Sequence, residues 1–255
     1  NKGNLVDKTT VKGCAFQTPM LEFPGACAGC GETQAVRILT QLFGTRLMVA
    51  NAMGCSRVWG GTFASKPYSI NARGQGPAWG SSLFEDNAEF GFGMMTSTLI
   101  KRRNLATRVQ RILKDDSIPK SKELCASLQT WLENPRDADK CEACYDNCVR
   151  LLADEKKNHK ELALLEEVID VMPKLTQWVI GGDGWAYDIG YGGVDHVLAQ
   201  GEDINILVLD TEMYANTGGQ QSKATQMSAV AKFAAGGKPL MKKDLGRMAM
   251  QYENI

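Results

Sequence analysis

Apolar positions along this chain change their spacing twice, dividing it into three stretches. Up to about Thr98 they come in short runs between glycines. Residues 46–52 form such a run and read as a buried strand, preceded by a helical spacing over 34–42. From about Ile100 to Met172 charge runs replace the glycines. There Leu124, Leu128, Trp131 and Leu132 share one helical face, and Leu162, Leu165, Ile169 and Met172 form one stripe of an amphipathic helix. A helical insertion is predicted over about residues 100–172. After Pro173 an apolar strand over 176–180 runs into Gly181-Gly182-Asp183-Gly184, followed by a helix over 190–198 and a β-rich run over 204–209. Strand, glycine turn, helix, strand is a βαβ unit. The predicted fold class is α/β: a mostly parallel sheet with helices on both faces, as one domain over 1–255 interrupted by the helical insertion.

Composition narrows the function without altering that outline. Lys plus Arg and Asp plus Glu balance at 29 each, so no basic field points to nucleic acid or an anionic membrane. No apolar run approaches a membrane span in length. Asn1-Lys2-Gly3-Asn4 carries no secretory or transit pattern, and the expected location is cytoplasmic. Eight cysteines in a reducing compartment are more often metal ligands, catalytic groups or core than disulfides. The absence of a starting Met, and of a cap or tail at residues 251–255, leads us to expect a segment of a longer polypeptide.

Gly182-Asp183-Gly184 falls at the carboxyl end of a predicted strand, where open parallel sheets bind ligands. Alone, this tripeptide also suits a tight turn. The second strand ends in Asp210-Thr211-Glu212-Met213-Tyr214-Ala215-Asn216-Thr217-Gly218-Gly219, with Thr211 placed 28 residues after Asp183. One βαβ step brings both to the same sheet edge. A diphosphate there needs a hard cation with oxygen ligands, for which the Asp183 carboxylate, the Thr211 hydroxyl and the Met213 carbonyl are candidates. The competing reading is a βα turn followed by a hairpin loop.

Cys27-Ala28-Gly29-Cys30 is a CxxC ahead of a helix starting near Glu32, and Cys55 lies just past the strand of residues 46–52. By spacing alone these cysteines suit an iron–sulfur or zinc site, a thioredoxin-like pair, or plain core. Cys141, Cys144 and Cys148 fall on one face of a predicted helix, where burial is the commoner fate. Cys14 and Cys125 read as core, and His196 as packed or partly exposed.

Residues 182–193 together with Asn216-Thr217-Gly218-Gly219-Gln220 resemble the C-terminal thiamine-diphosphate domain of pyruvate:ferredoxin (flavodoxin) oxidoreductases. The likeness extends through Ala229, Lys232, Phe233 and Ala234, through Lys243-Asp244-Leu245, and through residues 23–33, 54–59 and 74–93. It implies conversion of pyruvate, coenzyme A and oxidised ferredoxin or flavodoxin to acetyl-CoA, CO₂ and reduced carrier, with thiamine diphosphate, Mg²⁺ and a 4Fe–4S cluster. A related 2-oxoacid or NADP-linked oxidoreductase, or a non-enzymatic CxxC module, is the alternative. The resemblance assigns the cluster to Cys27, Cys30 and Cys55, with a fourth ligand beyond Ile255. It assigns Mg²⁺ to Asp183, Thr211 and Met213, and the cofactor to Glu32, Cys55, Gly182, Asp183, Gly184, Trp185, Thr211, Glu212, Met213, Tyr214, Ala215 and Asn216. Asn216 would face the substrate, its amide suited to a developing oxyanion. On their residues alone, Glu32 also suits a helix's first turn and Asn216 an Asx turn. The resemblance further implies a homodimer, other domains of the same polypeptide supplying the coenzyme A contacts and the carboxylate at the aminopyrimidine ring, and a cytoplasmic or anaerobic-organelle location.

Overall fold

The computed structural model describes residues 5–61, 66–253 and 255; the N-terminal tetrad read for a targeting pattern lies outside them. Among the described residues the order is α1 (Val11–Ala15), α2 (Glu32–Phe43), β1 (Leu47–Asn51), α3 (Cys55–Gly61), β2 (Ala78–Ser81), α4 (Asn87–Lys114), α5 (Lys122–Glu133), α6 (Ala138–Glu155), α7 (Lys160–Glu166), β3 (Thr176–Gly182), α8 (Tyr191–Ala199), β4 (Asn205–Leu209), a short hairpin of β5 (Met213–Tyr214) and β6 (Gln220–Gln221), and α9 (Leu245–Ala249). The chain divides into two compact units, Asn1–Met94 with Thr176–Ile255, and Met95–Leu175.

In the first unit β1, β2, β3 and β4 form one sheet in the order β2-β1-β3-β4, and each neighbouring pair is parallel. Successive strand residues point to opposite faces, and here both faces are apolar. Leu47, Val49, Ile180 and Leu209 pack with Val36 and Leu39 of α2 and Trp59 of α3. Ala50, Val179 and Val208 pack on the other face with Ala88 of α4, Trp185, and Val194 and Val197 of α8. Helices on both faces explain why these strands read as continuous apolar runs. Asn51 pairs with Ser81 and with Ile180, and Gly182 with Leu209, so the four strands end at one edge, β1 and β2 two residues short of β3 and β4.

The second unit is all helical. Leu105, Val109 and Ile112 of α4 form a core with Leu124, Leu128 and Trp131 of α5 and with Cys141, Cys144, Cys148 and Leu152 of α6. Ser121 caps α5, Asp137 caps α6 and His159 caps α7, each accepting from a backbone N–H of the first turn. The Arg102 guanidinium donates to the carbonyls of Val171, Met172, Pro173 and Pro135 and stacks over Trp131. The three cysteines of α6 are thus packed core.

Two expectations need correction, and one helix is borne out with an addition ahead of it. The stripe Leu162, Leu165, Ile169 and Met172 is buried, but not on one helix: α7 ends at Glu166 and a 3-10 turn, Ile169–Val171, carries on the spacing. Glu166 and Glu167 crowd negative charge at a helix carboxyl end, where the dipole disfavours it. The helix expected from 190 is preceded by a π-helical turn, Gly184–Ile189, closed by Gly190 N–H donating to the Trp185 carbonyl at 2.9 Å. Cys125 is half-exposed, not core. His196 is exposed on α8. Among the described residues no helix is long and apolar enough to cross a membrane.

Candidate functional site

The order β2-β1-β3-β4 changes direction between β1 and β3, the place where an open parallel sheet leaves a crevice at its carboxyl edge. Four strand ends supply that crevice. After β1 comes Met53-Gly54-Cys55, after β2 Phe84, at the end of β3 Gly182-Asp183-Gly184, and after β4 Thr211 and then Met213 to Thr217. Glu32, from the first turn of α2, completes the lining.

Asp183 sits at the bottom, only 1% exposed. Its Oδ1 accepts from Thr211 N at 3.3 Å and Thr211 Oγ1 at 3.1 Å, and its Oδ2 from Ser222 Oγ at 2.5 Å. Thr211 Oγ1 is also 3.1 Å from the Met213 carbonyl. The hydroxyl has one proton and two acceptors at equal distance. Met213 O also accepts from Ala215 N at 2.8 Å, so Asp183 Oδ1, Thr211 Oγ1 and Met213 O form a converging set of three oxygens, the kind of donor set a hard cation takes. Burial raises the Asp183 proton affinity above the ordinary carboxylate range, against the lowering effect of the Ser222 and Thr211 bonds.

The π turn shapes the wall. Its extra residue lets Trp185 sink into the core while Tyr187 and Asp188 meet the loops after β4. Tyr187 Oη donates to Asp210 Oδ2 at 3.0 Å, and Tyr214 Oη to Asp188 Oδ2 at 3.1 Å. Trp185 borders the crevice with its indole wedged against Gly181 and Gly190, where a Cβ would come within 2.5 and 2.3 Å of the ring. Tyr214 lies over Gly184 and meets Phe84 edge-on, centroids 6.3 Å apart.

Glu32 is half-buried, and its Oε2 accepts from Trp59 Nε1 at 2.9 Å. Burial is the main cause of its raised proton affinity, opposed by the Trp59 bond and reinforced by Asp183. Glu32 is thus both first-turn acid and crevice wall. Cys27, Cys30 and Cys55 border an adjoining cavity shared with Glu32, Ala215 and Asn216. Burial, and then the charge of Glu32, push the Cys55 thiol up to about 11, with Cys30 and Cys27 adding to it. Among the described residues no three Cys, His, Asp or Glu side chains stand close enough to hold a metal as placed.

Asn216 is exposed at the mouth of both cavities. Its side chain makes no hydrogen bond among the described residues, and Thr217 holds the turn through Tyr214 O and Gln220. Glu212 departs from its expected place. It does not line the crevice but reaches Lys242 at 3.3 Å and Gln226 at 2.9 Å, because its backbone is left-handed at φ 63°. Sequence reasoning missed Ser222, Phe84 and Trp59. Trp59 and Phe84 lie inside the stretches 54–59 and 74–93 that carry the resemblance, and Ser222 two residues past Gln220, but no spacing distinguished any of them.

Residues 165–253 match the family described as thiamine pyrophosphate enzyme, C-terminal TPP binding domain. The chain is 53% identical to a pyruvate-flavodoxin oxidoreductase of Klebsiella pneumoniae over 100% of its own length and 21% of that protein. It is 54% identical to the pyruvate:ferredoxin oxidoreductase of Moorella thermoacetica over 95% of its length and 21% of the relative. A mitochondrial pyruvate dehydrogenase [NADP(+)] of Euglena gracilis is 50% identical over 100% of this chain and 14% of its own. The chain therefore spans about a fifth or less of each of these relatives; nearly its whole length is similar to a segment of pyruvate:ferredoxin and pyruvate-flavodoxin oxidoreductases, and its residues 165–253 match the thiamine pyrophosphate-binding family.

Proposed function

We propose that this chain holds the diphosphate of thiamine diphosphate through Mg²⁺ on Asp183, Thr211 and the Met213 carbonyl. In the complete enzyme this serves coenzyme A-dependent oxidative decarboxylation of pyruvate to acetyl-CoA and CO₂, with electrons passed to ferredoxin or flavodoxin. The observation that carries the reading is the convergence of Asp183 Oδ1 and the Met213 carbonyl on Thr211 Oγ1, each at 3.1 Å, at the crevice of a parallel sheet. When bound, thiamine diphosphate supplies an electron sink for decarboxylation.

The chain's own residues bind, orient and shield. Gly182 leaves backbone open to phosphate oxygens, while Gly184 makes room for the Tyr214 ring. Tyr214 and Phe84 close one wall against water. Glu32, fixed at Oε2 by Trp59, keeps Oε1 for a proton in the crevice. Asn216 presents its amide at the mouth, where it stabilises developing negative charge on a substrate oxygen without adding a charge of its own.

Cys27, Cys30 and Cys55 offer three thiol donors around one cavity, and we assign them to the 4Fe–4S cluster, which requires them to draw together. Other domains of the same polypeptide supply the coenzyme A contacts and the aminopyrimidine carboxylate, in a homodimer of the cytoplasm or an anaerobic energy organelle. A CxxC module without the diphosphate site leaves the Asp183 cluster unexplained. Calorimetry of thiamine diphosphate binding to the complete enzyme, with and without Mg²⁺, tests the reading. Asp183→Ala is expected to abolish the Mg²⁺-dependent part, and unchanged affinity would sink it.

A further inference from the structure

We infer that Ser222 is a positioning residue of the metal site, held in place by the buried ammonium of Lys238; the inference rests on the Asp183 assignment above. Ser222 is 5% and Lys238 7% exposed. Lys238 Nζ donates to the carbonyls of Ser222 at 3.1 Å, Lys223 at 3.2 Å and Thr225 at 2.7 Å. All three ammonium donors are thus used, the condition under which a buried cation is tolerable. The chain returns to deliver this side chain by pairing Ser228 N with Lys238 O at 2.8 Å and Lys238 N with Ala229 O at 3.0 Å. Gly237, at φ 89°, makes that return possible.

The turn pinned by Lys238 grips both ligand-bearing loops. Ser222 Oγ accepts from Ala224 N at 3.0 Å, so its single proton is directed at Asp183 Oδ2. That occupies one carboxylate oxygen and turns the other, Oδ1, toward Thr211 and the cation position. Thr225 Oγ1 accepts from Ser222 N at 2.9 Å and donates to the Glu212 carbonyl. This bond holds Glu212 in its left-handed conformation, and the next carbonyl along is that of Met213. Lys238 thereby acts on Asp183 through Ser222 and on Met213 through Thr225, without touching either.

The experiment uses the complete enzyme and Mn²⁺ as a spectroscopic stand-in for Mg²⁺, titrated by electron paramagnetic resonance in the presence of thiamine diphosphate. Thermal unfolding is measured alongside, and Asp183→Ala is the reference. Ser222→Ala is expected to weaken metal binding about 10- to 100-fold, as loss of a ligand's orienting partner does. Ser222→Thr, which keeps the hydroxyl, is expected to restore binding to within about threefold, at an unchanged melting temperature. Lys238→Met shifts affinity in the same direction as Ser222→Ala. If that variant melts early, the Ala and Thr pair at Ser222 decides alone. Loss of metal in Asp183→Ala with near-native affinity in Ser222→Ala overturns the role of Ser222 and leaves the cofactor site intact. Retained metal in Asp183→Ala overturns the cofactor site and this inference with it.

Discussion

Gly184 lies so close beneath Tyr214 that a Cβ on it would fall 2.4 Å from the ring carbon Cε1. The ring cannot retreat freely, since its hydroxyl is bound to Asp188 Oδ2 and its edge meets Phe84. Gly184→Ala therefore forces Tyr214 out of the crevice wall. Overpacking of this kind costs about 1–3 kcal/mol. We expect a lower melting temperature and at least tenfold weaker thiamine diphosphate binding. Gly192→Ala is the control: it is exposed on α8 with nothing within 4 Å of the added carbon. Equal cofactor affinity in both variants would show that the Gly184–Tyr214 approach is not part of the site.

The pairing of Asp183 with Thr211 was legible in the sequence because strand spacing locates strand ends, and one βαβ step fixes which ends are neighbours. The packed face of Cys141, Cys144 and Cys148 was legible for a similar reason, since helical spacing is local. The π turn was not, because its buried residues, Gly184 to Tyr187, follow one another without a helical spacing. The grip of Lys238 on Ser222 was hidden too. It runs through loop carbonyls, which every residue has, so no residue pattern announces it. Glu212 was misplaced by its motif neighbours, since a left-handed backbone at a glutamate has no sequence signal.

Cys55→Ser tests the cluster assignment. The thiol borders one cavity with Cys27 and Cys30, whereas Cys125 belongs to the helical unit and is half-exposed. After anaerobic purification of the complete enzyme, iron and sulfide content should fall in Cys55→Ser and stay unchanged in Cys125→Ser. Zinc should be absent from both. Undiminished iron in the first variant would remove Cys55 from the ligand set.

Cys148 makes the helical unit sensitive to alkali. It has no exposed surface, and burial, with smaller contributions from Cys144 and Glu155, pushes its thiol up to about 12 from an ordinary value near 9.0. The folded state thus keeps a proton that the unfolded chain releases. Its contribution is fully present below about pH 9 and is lost as pH rises toward about 12. One proton sets a ceiling of about 1.4 kcal/mol per pH unit on the slope. Urea unfolding free energies, followed by circular dichroism from pH 8 to 11, should fall with pH in the unaltered protein. Cys148→Ala loses stability at every pH, because it leaves a void in the core around Leu128 and Leu152. The decisive quantity is therefore the slope above pH 9, which should be shallower in the variant. Parallel curves would mean that Cys148 ionises in the folded protein as easily as in the unfolded one, and would remove it as the source of the alkaline sensitivity.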